Sequence, residues 1–205
     1  KIVLIFDECT TGFRESFGGL HLLINVIPDI AIFGKALGNG YAITAVLGKD
    51  SVMYNARKSF MSSTFWSERI GPTAALKTLE IMEKNKTWIE VKKLGKNLIS
   101  IWKKIAGRHN LKIKIFGIPS LAKFSIVSND FQKYKTYITQ EMLKSGFLAT
   151  NSVYMSIAHN ETIFKKYESK LDRIFYKISL CEKRVIKIDD ILEHPVTYLP
   201  FQRLN

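Results

Sequence analysis

Apolar residues occupy both alternating faces of "KIVLIF" (residues 1–6), and β-branched types are frequent, so the pattern predicts a strand buried on both sides. The run stops at Asp7-Glu8, and a polar stretch with Gly12, Gly18 and Gly19 follows. Pro28-Asp29 then introduces a second short buried strand, Ile30 to Phe33, and "AITAVLG" (42–48) reads as a third. Strands of this kind, so closely spaced, fit an α/β sheet covered on both faces. No helical period emerges between Phe6 and Asp29, so an irregular connection is expected there.

From Glu68 the period lengthens. Ala75, Leu79 and Met82 fall at helical spacing, and Val91, Leu94, Leu98, Trp102 and Ile105 form a second stripe that Gly107 stops. Strand patterns return in "LKIKIFG" and "SLAKFSIV". A helix from about Phe131 to Ser145 follows, closed by Gly146, and then a short strand near Val153. A last helix carries Ile163, Tyr167, Leu171, Ile174 and Ile178 on one face. This half reads as an α+β unit, with the division placed between 1–108 and 109–205 and no internal repeat or low-complexity linker.

At 46% hydrophobic and 12% aromatic, the 205 residues can build a core, which argues against disorder. No apolar run approaches the ~20 residues that span a bilayer. The opening residues lack the longer apolar core and small-residue cleavage site of a secretory signal. The net charge of +13 raises the question of an anionic partner. Yet "EKNKTWIEVKKLGKN" and "FKKYESKLDRIFYK" alternate lysines with acids and apolar residues, the pattern of solvated helix faces, so nucleic-acid binding stays a minor reading. Cys9 and Cys181 show no metal or redox spacing, and His21, His109, His159 and His194 form no ligand motif. Reduced thiols in a cytosol are the expectation, with no metal site.

The candidate chemistry centres on "GKALGNGY" (34–41), where one lysine stands among glycines directly after a strand. Glycines let the backbone come close to a bound group, and burial of the lysine would favour its neutral, nucleophilic amine. A P-loop is excluded, because Asp29 and Ala36 occupy its glycine and hydroxyl positions. The glycine spacing also fails the dinucleotide fingerprint. Asp7 and Lys35 both follow strands, and in open α/β sheets ligands sit at the carboxyl ends of strands. Ser62, Ser63 and Thr64, expected just ahead of a helix N-terminus, suit a phosphate. A lysine amine, a carboxylate and a phosphate cradle together match the needs of pyridoxal phosphate. Arg14 and Glu68 read as solvated surface charges, with engagement of a substrate as the alternative.

"DECTTGFR" (7–14), "PDIAIFGKALGNGY" (28–41) and "SSTFWSERIGPTAALKTLE" (62–80) resemble the class-III aminotransferases, and most of all the branch similar to glutamate-1-semialdehyde aminomutase. "FQRLN" (201–205) looks like the chain end of that branch. The resemblance implies the later part of a fold-type-I large α/β domain, followed by a small α+β C-terminal domain. It implies pyridoxal 5′-phosphate as cofactor, with Lys35 forming the Schiff base and Asp7 pairing with the pyridine nitrogen. Thr64, beside Ser63, matches the hydroxyl that reaches the cofactor phosphate across a dimer interface. Cys9 stands where the family usually has a valine packed on the ring face. Family chains are about twice as long, so the resemblance implies a missing N-terminal half carrying the phosphate loop and the stacking aromatic. The expected activity is amino transfer between a small amino donor and an oxo acceptor in a cytoplasmic homodimer. Intramolecular amino exchange is the closest alternative, and a non-catalytic, partner-binding remnant is the alternative of a different class.

Overall fold

The structure, a computed structural model, describes residues 2–197. The chain divides into two compact units, Lys1–Lys92 and Lys93–Asn205. In the first, β1 (Ile5–Asp7), β2 (Ile30–Phe33) and β3 (Ala45–Gly48) form a sheet in that order. β1 and β2 run parallel, with Asp7 opposite Ile32, whereas β3 returns antiparallel with Ala45 opposite Phe33. The carboxylate of Asp29 accepts the Leu4 amide at 2.9 Å and the Lys49 ammonium at 2.8 Å, which ties the starts of β1 and β2 together. A parallel pair usually takes a helical crossover. Here residues 8–29 make it through turns and one 3₁₀ turn, Leu20–Leu23, as the missing helical period led us to expect.

Two helices follow in this unit, the short α1 (Asp50–Met53) and α2 (Ile70–Asn85). Ala31 and Phe33 share one face of β2, and they are buried with Leu37 and with Ala75 of α2. Phe13, Ile43, Ala45 and Leu79 pack around them. The expectation of strands buried on both sides fails here. Val3, Leu4 and Ile5 around β1 are about half exposed, Ile2 is 95% exposed, and Val46 and Leu47 of β3 are open as well. β1 and β3 are the two edges of a small sheet, so within this chain their apolar side chains lack a second layer. β1 and β3 are also shorter than the apolar runs suggested.

The long helix α3 (Thr87–Arg108) leads from the first unit into the second. There β4 (Ile113–Phe116) and β5 (Lys123–Ile126) pair antiparallel, and α4 (Phe131–Lys144) and α5 (Glu161–Glu182) complete the unit. Trp102, Phe124, Met142, Leu171, Phe175 and Ile178 are fully buried. The Trp102 indole N–H donates to the Tyr167 hydroxyl at 3.0 Å, which satisfies the polar atom that burying a tryptophan brings inside. The Asn160 side chain accepts the Ile163 amide at 3.0 Å and so fixes the start of α5. The strand expected near Val153 is only a single bridge, Ser152 to Lys123. Backbone bonds still run along it, from the Phe124 amide to the Asn151 carbonyl at 2.9 Å and from the Val153 amide to the Ala122 carbonyl at 3.0 Å, and the Asn151 carboxamide N–H adds a bond to the Phe124 carbonyl at 2.7 Å.

Candidate active site

Because β1 and β2 are parallel, their carboxyl ends lie on the same side of the sheet. The Glu8 amide donates to the Ile32 carbonyl at 2.8 Å, carrying the pairing one residue past Asp7. Lys35 follows the end of β2 by two residues and opens a 3₁₀ turn, Lys35–Leu37, anchored by buried Leu37. Its φ of +43° is left-handed, a conformation that costs energy for any residue with a Cβ and that gathers at functional sites. From that position the Lys35 ammonium donates to the Thr10 hydroxyl.

Asp7 Oδ1 accepts the Cys9 amide at 3.0 Å. This backbone bond, then the Cys9 thiol, hold the Asp7 carboxyl below the ordinary aspartate range against the opposing effect of burial, with a lesser contribution from the charge of Lys35. Asp7 is therefore ionised at neutral pH. Burial pushes the Cys9 thiol up, as do the hydrogen bond to Asp7 and its charge, so Cys9 stays a protonated donor rather than a reactive thiolate.

Glu8 turns the other way and is buried. Its carboxylate accepts from the Thr11 hydroxyl and from the amides of Leu20 and His21 at 3.0 Å, with His21 Nδ1 at 3.1 Å. Burial opposes ionisation of Glu8, but these bonds outweigh it and draw its pKa below the ordinary glutamate range. The carboxylate thus staples Leu20 and His21 to the end of β1 and holds the turn that presents Cys9 and Thr10. The Gly12 amide closes the same turn onto the Glu8 carbonyl at 2.7 Å, and a Cβ at Gly12 would stand 2.6 Å from the Phe33 ring.

Asp7, Cys9 and Lys35, expected together, are brought together. The expected burial of the lysine is not found: Lys35 and Asp7 are both exposed. The placement of Ser62, Ser63 and Thr64 is also corrected. All three are exposed, and α2 begins only at Ile70, where Pro72 occupies the first turn. Ser63 instead organises a local turn, its hydroxyl accepting the Phe65 amide at 3.3 Å and its carbonyl the Trp66 amide at 3.2 Å. Glu68 is exposed and Arg14 half-buried, and "FQRLN" lies outside the described residues. Sequence reasoning missed Thr10 and Glu8. A signal for both was present in "DECTTG", where a second acid and two hydroxyls crowd the turn directly after a strand.

With this geometry in hand, the chain was compared with known proteins. The family described as aminotransferase class-III matches residues 1–168. A 3-aminobutyryl-CoA aminotransferase of Cloacimonas acidaminovorans is 35% identical over 159 residues, covering 77% of this chain and 38% of that protein. A glutamate-1-semialdehyde 2,1-aminomutase of Methanocaldococcus jannaschii is 29% identical over 193 residues, covering 85% of this chain and 45% of that protein. Among solved structures, the PLP internal aldimine form of the FumI protein from Sphingopyxis sp. MTA144 superposes with a TM-score of 0.80. It is 24% identical, and the match covers 93% of this chain and 46% of that one. The chain thus spans less than half the length of these relatives.

Proposed function

The chain belongs to the class-III aminotransferases, and on that premise we propose that it supplies the lysine and the acid of a pyridoxal-phosphate-dependent amino transfer between a small amino compound and an oxo or aldehyde acceptor. One observation carries this reading. The parallel β1–β2 pair sets an ionised carboxylate, Asp7, and a primary amine, Lys35, at the same carboxyl end of the strands, with the Thr10 hydroxyl against the amine.

These groups fit the cofactor. Asp7, held ionised by the Cys9 amide and thiol, is suited to keep a proton on a pyridine nitrogen. Lys35 offers the amine that bonds to a carbonyl carbon, and once released it can take a proton from the substrate Cα and return it elsewhere. Bound pyridoxal phosphate supplies the electron sink that makes this Cα–H acidic enough to lose its proton. Cys9, small and protonated, takes the place of an apolar residue beside the ring. Ser63 and Thr64, on their exposed turn, are assigned to the cofactor phosphate, with Thr64 reaching a second copy of the chain in a cytoplasmic homodimer.

Within this reading, residues 1–108 are the later part of a large cofactor-binding domain and 109–205 a small α+β domain of a longer enzyme. The match to less than half of each relative's length supports the longer enzyme, while the compact units of the structure divide at Lys92–Lys93 rather than at 108–109. Intramolecular amino exchange is the second reading, supported by the Methanocaldococcus jannaschii aminomutase, whose match covers 85% of this chain against 77% for the aminotransferase.

The test is covalent. In the complete, cofactor-loaded protein, borohydride reduction followed by digestion and mass spectrometry is expected to place the pyridoxyl group on Lys35. Label concentrated on Lys49 or Lys58, which lie outside the glycine frame, would overturn the assignment.

A further inference from the structure

We propose that Thr10 is the positioning residue of Lys35: its hydroxyl holds the lysine amine beside Asp7, and this placement governs how fast the amine captures an aldehyde. The inference rests on the amino-transfer reading above and goes beyond it to a residue that neither the motifs nor the lysine itself point to.

The bond joins residues far apart in the chain, Lys35 Nζ on the β2 side and Thr10 Oγ1 on the β1 side. Both ends are held by backbone. Thr10 sits in the turn that Glu8 fixes through its buried carboxylate and through the Gly12 amide on its carbonyl. Lys35 starts from a left-handed residue locked by the Leu37 amide on the Gly34 carbonyl at 3.0 Å. An exposed lysine without a partner samples many rotamers, and ordering so long a side chain costs conformational entropy. A fixed acceptor at the end of that chain meets the cost before the reaction begins.

Hydroxyl chemistry matters as well. Threonine accepts from an ammonium but can also donate to a neutral amine, since it carries both a proton and lone pairs. Thr10 can therefore keep the Lys35 nitrogen in place in either protonation state. A carboxylate there would favour the charged form over the nucleophilic amine, and an apolar residue would hold neither.

The probe is pyridoxal 5′-phosphate itself, added to the complete protein stripped of cofactor. The Lys35 amine condenses with the aldehyde and loses water. Borohydride then delivers hydride to carbon while solvent supplies the proton to nitrogen, leaving a stable secondary amine. Peptide mass spectrometry follows the label on Lys35, with Lys49 and Lys58 as internal standards. In Thr10→Val, which keeps the shape and removes the hydroxyl, labelling of Lys35 is expected to slow by about fivefold or more, while the standards hold their rates. Thr10→Ser, which restores the hydroxyl, is expected to stay within about twofold of the parent. Should Thr10→Val unfold early on heating, Thr10→Ala is compared with Thr10→Ser in its place. Parent-like labelling in the hydroxyl-free variant overturns the inference, and so does an equal loss in Thr10→Ser, which would mean that bulk and not the hydroxyl matters. A parent protein that does not label Lys35 at all would instead sink the amino-transfer reading, so the two failures are distinct.

Discussion

Asp7 accepts the Cys9 amide through one carboxylate oxygen, and an asparagine could accept the same bond while carrying no charge. Asp7→Asn therefore separates the shape of the turn from its electrostatics. In the complete protein this variant is expected to keep its fold and much of its cofactor, but to lose about a hundredfold or more in turnover, because the lost charge acts on the developing carbanion. Steady-state kinetics alongside circular dichroism would check it, and near-normal turnover would end the pyridinium role. The sign with pH follows from the depressed pKa. Asp7 keeps its charge above the ordinary aspartate range and surrenders it only as pH falls through the lowered folded value. At this scale the sequence supplied Asp7 and Lys35 as strand-end residues. It could not supply Thr10, because a contact across so long a stretch of chain depends on how two turns face each other.

Helix α3 shows the same division at the level of an element. Its stripe of Val91, Leu98, Trp102 and Ile105 was legible, because helical period is a local property and these side chains are all buried. Its glycines were not legible. Gly95 and Gly107 look alike in sequence, yet a Cβ at Gly95 would overlap the Pro119 carbonyl, whereas one at Gly107 meets nothing within 4 Å. Helix propensity alone favours alanine at either site by about 1 kcal/mol. At Gly95 the obstacle is backbone, which cannot swing aside, so packing wins and Gly95→Ala is expected to destabilise the protein by about 1–3 kcal/mol. Gly107→Ala is expected to be neutral or stabilising by up to about 1 kcal/mol. Urea melts of both variants would check the pair, and equal effects would show that propensity and not packing decides.

The apolar edge strands set the behaviour of the whole molecule. Ile2, Val3, Leu4 and Ile5 at one edge of the sheet and Val46 and Leu47 at the other are open to solvent, a hazard for unplanned strand pairing. The chain also spans less than half of its relatives. The 205-residue chain by itself is therefore expected to bind an apolar dye such as ANS and to catalyse no measurable amino transfer. The complete protein should do the reverse. Robust transfer by the isolated chain would show that the site needs less than we assign to it. No helix among the described residues is long and apolar enough to cross a membrane.

By itself the sequence determined most of the segments that become strands and helices, though not α1 or the lone bridge near Val153, since side-chain period acts over a few residues and is written directly in their order. β2 at Ile30–Phe33 and α4 from Phe131 follow from it, and so does the arrival of Asp7 and Lys35 at strand ends. Only the tertiary structure decided that β1 and β3 are edges rather than buried strands, that Lys35 is exposed, and that α2 starts at Ile70 and leaves Ser63 and Thr64 on a separate turn. It also decided that the Thr10 hydroxyl meets the Lys35 amine and that the Glu8 carboxylate holds the Leu20 amide. Burial and long-range hydrogen bonds are properties of neighbours, and a residue's neighbours in space are set by how many layers pack around it. An apolar pattern states a need for cover, and the packing of other elements determines whether that need is met.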